Sequence, residues 1–297
     1  MSTFLQYWVT LFQHEFVQNA FLASPIVAVV TAIMGYFVVL RAQAFAGEAL
    51  ADIGFAGAMG AAVLGISSLV GMFIMVLLAA LGMGALGKRI QGRDVEIGMV
   101  LSFVLGLGVL FLSIYTQNGA NATTGVGVLF GSILSVTRTD VLISLITALV
   151  TLLIIALLFR PLLFASIDPV LAQARGVPVR LLSIIFLLLL ALATAEAVLV
   201  IGVLLVFSLL IAPAATAERL THRPLTAIIL SVVLALSFSW GGLVLAFVGT
   251  GRHLPVSFYI STLAALSYFF SLLVSRVRSP HVYRALPHPS REQTATV

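Results

Sequence analysis

Charged residues are scarce in this sequence. They make up 8% of its 297 residues, whereas a typical soluble domain contains roughly 25%. Hydrophobic residues account for 61% of the chain, and the mean hydropathy is +1.21. So few polar side chains cannot cover the surface of a soluble domain of this length. The composition therefore predicts an integral membrane protein without a large soluble domain.

Cysteine is absent altogether, which excludes disulfide bonds and thiolate metal ligands. The five histidines lie in predicted loops, at an interface or in the tail. None of them has the H-E-x-x-H or H-x-x-E-H spacing of a hydrolytic zinc site. The G-x-S-x-G nucleophile elbow is also missing. We therefore expect no enzymatic activity and no bound cofactor in this chain.

Residues 82–89 imitate a phosphate-binding loop. Gly82, Gly87 and Lys88 have the G-x-x-x-x-G-K spacing, but Arg89 stands where a Ser or Thr hydroxyl must reach magnesium. The stretch also ends an apolar segment, whereas a true phosphate-binding loop joins a strand to a helix. The sequence therefore predicts that this chain does not itself hydrolyse ATP.

Long apolar runs fill most of the chain. Each has about 20 residues, which is enough to cross a hydrocarbon core of about 30 Å as a helix. Runs such as LLSIIFLLLLALATA are apolar on every side, whereas barrel strands alternate. We predict an all-α polytopic membrane protein with about nine spanning helices, eight being the alternative. The predicted segments lie near 20–40, 48–65, 67–87, 96–115, 140–159, 181–195, 197–217, 225–249 and 255–275.

Three regions are expected along the chain. Residues 1–19 mix aromatic and polar side chains, a pattern typical of an amphipathic helix at a membrane interface. Residues 20–278 form the transmembrane domain. Residues 279–297 contain three prolines and few apolar residues, so a disordered tail is expected. The number of helices between residues 116 and 140 stays open, because GVGVLFGSILSV is too short to span the bilayer.

The basic residues are unevenly divided between the predicted loops. With nine helices, only Arg138 and Arg252 fall on one side of the membrane, and the other thirteen lysines and arginines fall opposite. The positive-inside rule then places the C-terminus in the cytoplasm and the N-terminus outside. Because the basic residues are scattered through short loops, the net charge of +5 does not indicate nucleic-acid binding. Membrane lipid is the expected surrounding.

Glu48 and Asp52 are two of only ten acidic residues, and they lie within a predicted membrane helix. Their spacing of four residues puts both carboxylates on one helical face. An ionisable group in hydrocarbon costs roughly 2.5 to 3.5 kcal/mol or more unless it faces a cavity or a partner. The pair therefore indicates a path for a cation.

Two other features of the membrane segments have alternative interpretations. Gly54, Gly57 and Gly60 let the second segment approach a neighbouring helix closely, or they line a pore. Glu196 is either an entrance ligand for a cation or a carboxylate at the outer membrane boundary.

A compact polar insertion separates two apolar segments at residues 168–179. Asp168 can cap a helix that Pro169 begins, Gly176 can end it, and Pro178 prevents its continuation. A short helix held between membrane helices is suited to docking on a soluble partner. The alternative is a capped connection with no partner.

The sequence resembles the membrane permease subunits of the zinc, manganese and iron ABC importers. The resemblance covers nearly all of the apolar chain and is strongest in four stretches that occur in order. These are GYFVVLRAQAFAGEALADIGFAG at 35–57, VLFGSIL at 128–134, DPVLAQARGVPV at 168–179 and GVLLVFSLLIAPAATA at 202–217.

This resemblance implies an ABC-importer permease fold and import of a divalent transition-metal ion across the bacterial cytoplasmic membrane. It also implies three partners: a second permease copy, a cytoplasmic ATP-binding subunit that hydrolyses ATP, and an extracytoplasmic metal-binding protein. By the same resemblance, the insertion is the coupling helix to the ATPase, with Asp168, Pro169, Ala172 and Gly176 as its marker residues.

The sequence departs from the family at the acidic pair. The family pattern usually runs Gly-Asp-Ala-Leu-Ser-His, and its Asp and His are the implied metal contacts. Here Glu48 replaces the Asp and Asp52 replaces the His. Both remain possible transient metal ligands, and carboxylate oxygen favours manganese or ferrous iron over zinc. A cation-coupled secondary transporter that uses the same pair is the alternative function.

Overall fold

The computed structural model describes residues 10–86, 94–117, 136–221, 223–248 and 255–278. This part of the chain contains ten helices, which confirms the all-α prediction. In chain order they are α1 (Glu15–Leu40), α2 (Ala44–Val63), α3 (Ser68–Leu86), α4 (Asp94–Gln117), α5 (Arg138–Ile167), α6 (Pro169–Ala174), α7 (Val179–Ile201), α8 (Val203–Leu220), α9 (Pro224–Val248) and α10 (Val256–Arg278).

Seven helices in the described ranges are long and apolar enough to cross a membrane: α1, α3, α4, α5, α7, α9 and α10. Helices α2 and α8 coincide with predicted spans but are not among these seven. The predicted number of nine is therefore not confirmed. The short segment GVGVLFGSILSV lies outside the described residues.

Helices α1 and α7 form the centre of the bundle. Most of their side chains are buried, whereas α4 lies almost entirely on the surface. Helix α1 packs against α2, α5, α7, α8 and α9, and α7 packs against α1, α2, α3, α5 and α8. The outer helices expose large apolar side chains such as Phe103, Leu157 and Phe270. Such a surface suits contact with lipid chains rather than with water.

Contacts at the two ends of α1 and α5 show that these helices run parallel. Glu15 accepts a hydrogen bond from Arg138 across 3.3 Å, which joins the two N-terminal ends. At the other end, Arg41 donates to Ser166 across 2.8 Å. Arg41 therefore lies at the same end of the bundle as α6, and Arg138 lies at the opposite end. This agrees with the division of these two arginines that the loop charges predicted.

The break between α7 and α8 lies later than the sequence predicted. The predicted segments meet at residue 196, but α7 continues to Ile201 and the chain turns at Gly202. Gly202 has a φ of +85°, a conformation that glycine adopts without steric cost. The glycine determines the boundary, and the carboxylate of Glu196 stays inside α7.

The ends of the domain scheme stay predictions. Helix α1 begins at Glu15, inside the stretch expected to form an interfacial helix. Residues 1–9 and 279–297 lie outside the described residues.

Candidate cation path

A tight connection between α1 and α2 determines where the acidic pair lies. Ala42 has a φ of +52°, which is unusual for a residue other than glycine. The backbone N–H of Ala42 donates to the carbonyl of Val39, and that of Gln43 donates to Val38. The chain therefore reverses within a few residues. Glu48 consequently lies in the second turn of α2, near the end of the bundle that contains α6.

The side chains of Glu48 and Asp52 are both shielded from solvent, to different extents. Glu48 is half-buried, and its Oε2 atom is buried without a hydrogen-bond partner. Asp52 is 8% exposed. Among the described residues, neither carboxylate forms a salt bridge with a basic side chain. A buried carboxylate oxygen without a partner is costly, and a passing cation would relieve that cost.

Gly57 lies on a different face of α2 from the acidic pair. At about 100° per residue, Gly57 is about 140° from Asp52 and about 180° from Glu48 around the helix. A Cβ atom at Gly57 would lie 2.8 Å from the carbonyl oxygen of Gly71 in α3. A Cβ at Gly60 would lie 3.3 Å from the ring of Phe111 in α4. These contacts support the close-packing interpretation of the glycines rather than the pore-lining one.

Glu48 and Asp52 are too few ligands to form a complete metal site by themselves. The described residues contain no group of three or more His, Cys, Asp or Glu side chains that could hold a metal ion. Two carboxylates are enough to bind a partly hydrated cation for a short time. A closed coordination shell would need further ligands, from water or from another chain.

Helix α6 has the predicted caps. The Oδ1 atom of Asp168 accepts a 2.8 Å hydrogen bond from the backbone N–H of Leu171, and Pro169 is the first helical residue. Gly176 follows the helix with a φ of +81°. The helix ends at Ala174, so it is shorter than the stretch 168–179. The Asp-Pro start and the Gly end are local signals, which is why they could be found in the sequence.

One face of α6 is buried and the other is exposed. Ala172 is fully buried and forms a small apolar cluster with Ala165 and Leu182. Val170 is 75% exposed and Leu171 is 45% exposed. The helix is therefore held against the ends of α5 and α7 and presents apolar side chains outward.

Glu196 is buried inside α7, five residues before the helix ends. It is 1% exposed, and the hydroxyl of Ser144 in α5 donates a 2.7 Å hydrogen bond to its Oε1 atom. Its Oε2 atom is buried without a hydrogen-bond partner. The predicted helix break at this residue was too early, because α7 continues to Ile201. Recognising Gly202 as the break would have placed Glu196 inside the span.

Arg41 makes long-range contacts that its position in a predicted loop did not indicate. It is half-buried, and its guanidinium lies 4.7 Å from the ring centroid of Phe186 in α7. Its Nε atom donates to Ser166 in α5. Burial lowers the pKa of Arg41 to about 10, so the group stays charged at neutral pH. The sequence contains no local signal for these long-range contacts.

Comparison with known proteins places these features in a family. The sequence profile of the ABC 3 transport family matches residues 13–275. The chain is 32% identical to the manganese transport system membrane protein MntC of Halalkalibacterium halodurans over 275 residues, which cover 91% of this chain and 92% of that protein. It is 31% identical to the manganese import system permease protein ScaB of Streptococcus parasanguinis, and the match covers 89% and 92% of the two chains.

A solved structure shows the same architecture. PsaBC from Streptococcus pneumoniae, in complex with Fab, matches with a TM-score of 0.79 at 28% identity, over 91% of this chain and 95% of that chain. The match extends along nearly the whole chain. The chain therefore belongs to the ABC 3 transport family and is a multi-pass membrane permease.

Proposed function

We propose that this chain is the permease subunit of an ABC importer for a divalent transition-metal ion, with manganese as the preferred substrate. The observation that carries the proposal is that Glu48 and Asp52, two carboxylates on one face of α2, are largely shielded from solvent. The pair offers only oxygen ligands, which suit manganese better than zinc. Relatives that match nine-tenths of the chain are named for manganese transport.

A second copy of the chain completes the path in this proposal. One protomer leaves Glu48 half-buried with an oxygen atom unpartnered, and the described residues hold no larger ligand group. A twofold axis beside α2 would bring four carboxylates together. A divalent ion would relieve their mutual repulsion and would therefore bind there. For transport, this binding must also be weak enough for the ion to leave.

The energy for transport comes from another chain in this proposal. A cytoplasmic subunit hydrolyses ATP and contacts the exposed side of α6, where Val170 and Leu171 protrude. An extracytoplasmic protein delivers the metal at the opposite end. The complex lies in the bacterial cytoplasmic membrane, with the α6 end in the cytoplasm, as the loop charges predict.

Uptake of radiolabelled manganese by the assembled transporter in proteoliposomes tests this proposal. The double variant Glu48→Gln, Asp52→Asn keeps the size of both side chains and removes both charges. We expect it to lower uptake by about a hundredfold, as the loss of two charged contacts implies. Glu15→Gln is the matched control, because Glu15 is an exposed acid at the far end of α1.

Two results would contradict the proposal. Near-normal uptake by the double variant at equal membrane abundance would remove the pair from the mechanism. Uptake that follows a proton or sodium gradient and does not need ATP would instead establish the secondary transporter.

A further inference from the structure

Arg41 connects three helices at the end of the bundle where α6 lies. It follows the last residue of α1, donates from Nε to Ser166 in α5, and lies over the ring of Phe186 in α7. None of these contacts involves Glu48 or Asp52. Arg41 is therefore placed to hold helices together rather than to bind the transported ion.

The contact with Ser166 has a defined direction. The Ser166 hydroxyl donates a 2.6 Å hydrogen bond to the carbonyl of Leu162. Its proton is therefore occupied, and its lone pairs are free to accept the Nε–H of Arg41. The planar guanidinium can make this bond and also lie on the Phe186 ring. Lysine could make the hydrogen bond but could not reproduce the flat contact with the ring.

On one side, Arg41 is coupled to the acidic pair by a short and tightly bonded connection. Its own backbone N–H donates to Phe37 in the last turn of α1. Ala42 follows in the left-handed conformation, and Gln43 is the N-cap residue of α2. Only six residues separate Arg41 from Glu48. A displacement of Arg41 would therefore shift the start of α2 and tilt the face that carries the carboxylates.

On the other side, Arg41 is coupled to α6. Ser166 lies two residues before Asp168, the capping residue of α6. The apolar cluster of Ala165, Ala172 and Leu182 ties α6 to the ends of α5 and α7 and is separate from the main core. If the proposed ATPase displaces α6, these contacts would carry the adjoining ends of α5 and α7 with it, and Ser166 lies at that end of α5.

We infer that Arg41 is a positioning residue that transmits the displacement of α6 to the helix that carries Glu48 and Asp52. It acts through Ser166 and Phe186 and binds neither the metal nor the nucleotide. This inference rests on the proposed function, because it requires an ATPase that moves α6.

The test uses the complete transporter with its ATPase and its metal-binding protein, reconstituted in proteoliposomes. The measured quantity is the amount of manganese transported per ATP hydrolysed. Arg41→Gln should lower this ratio by about tenfold while ATP hydrolysis continues at a similar rate. Ser166→Ala should change the ratio in the same direction, and Arg41→Lys should restore part of it.

Arg219→Gln is a matched control. Arg219 also contacts a hydroxyl and a ring, since it donates to Tyr268 Oη across 3.1 Å and lies 5.2 Å from that ring. Its contacts join α8 to α10, however, and leave α5, α6 and α7 untouched. We expect an unchanged transport ratio for this variant.

A second measurement does not depend on which metal is transported. The chain has no cysteine, so Phe45→Cys provides a single reactive thiol on the exposed side of α2, where Phe45 is 53% exposed. ATP should change the rate at which a maleimide reacts with this thiol. Adding Arg41→Gln should abolish the effect of ATP on that rate.

The possible results separate the inference from the proposed function. An unchanged ratio in Arg41→Gln and Ser166→Ala, together with a retained ATP effect at residue 45, would overturn the inference alone. A parallel fall in ATP hydrolysis and transport would show that Arg41 is only structural. If Arg41→Gln does not assemble, Ser166→Ala decides, because it removes one hydroxyl group. Absence of ATP-dependent metal uptake by the unmodified complex would instead refute the proposed function.

Discussion

Ser144 in α5 donates a hydrogen bond from its hydroxyl to the carboxyl group of Glu196 in α7, and both side chains are buried. Among the described residues, Ser144 is the only hydrogen-bond partner of the Glu196 carboxyl group, which lies inside a membrane span. The hydrogen bond crosses an interface between two long helices, so it determines their relative register as well as the orientation of the acid.

The bond predicts an asymmetric response to substitution. Ser144→Ala leaves the Glu196 side chain buried without its donor, so the free energy of unfolding should fall by about 1 to 3 kcal/mol. Adding Glu196→Leu should recover part of this loss, because an apolar pair leaves no polar group unsatisfied. Unfolding in detergent, followed by circular dichroism, measures both effects. A double variant less stable than Ser144→Ala would show that Glu196 has another stabilising partner.

The crossing of α2 and α3 predicts a strong dependence on the size of one side chain. A Cβ at Gly57 would lie 2.8 Å from the Gly71 carbonyl oxygen, and backbone atoms cannot easily move aside. Gly57→Ala should therefore lower the melting temperature, with a loss of about 1 to 3 kcal/mol from overpacking. Gly82→Ala is the control, because no atom lies within 4 Å of its added Cβ. That variant should be neutral or slightly more stable.

Loss of the N-cap of α6 should lower the amount of manganese transported per ATP hydrolysed, whereas loss of the N-cap of α5 at the opposite end of the bundle should not. Asp168→Ala removes the acceptor for the Leu171 N–H, so the first turn of α6 should fray and the transport ratio should fall. Asp168→Ser keeps a capping oxygen and should retain most of the ratio. Asp140→Ala is the control, since Asp140 forms the capping box of α5 with Thr137 at the opposite end. A lowered ratio in the control would mean that caps act only through overall stability.

The features that could be found in the sequence depend on neighbours along the chain. Glu48 and Asp52 share a face because of their spacing, and Asp168, Pro169 and Gly176 delimit α6 through local backbone preferences. Each of these signals is complete within one or two helical turns. The apolar runs likewise determine the helical class of the fold without any tertiary contact.

The features that escaped the sequence depend on distant partners. Ser144 lies 52 residues from Glu196, and Ser166 lies 125 residues from Arg41. No local pattern distinguishes a loop arginine that reaches solvent from one that lies on a buried ring. The position of Glu196 within α7 could be determined only after the helix break at Gly202 was known, because the end of the helix shows how many residues separate Glu196 from it.

Under the proposed function the acidic pair contacts the transported metal, and Asp52→His tests whether residue 52 affects metal preference. In the family pattern that this sequence resembles, an imidazole stands at this position, whereas this chain has a carboxylate. Imidazole nitrogen suits zinc better than carboxylate oxygen does, so the variant should raise zinc uptake relative to manganese uptake. The two acidic side chains differ in exposure, because Asp52 is 8% exposed and Glu48 is half-buried.

The control for this prediction is Asp52→Asn, which removes the charge without adding an imidazole. It should lower uptake of both metals and leave their ratio nearly unchanged, because it weakens the site without changing its ligand class. Competition between labelled manganese and unlabelled zinc measures the ratio in one assay. If Asp52→His and Asp52→Asn gave the same ratio, residue 52 would contribute charge but not ligand identity. In the proposed importer, selection between metals would then have to occur before the ion reaches α2, at the extracytoplasmic metal-binding protein.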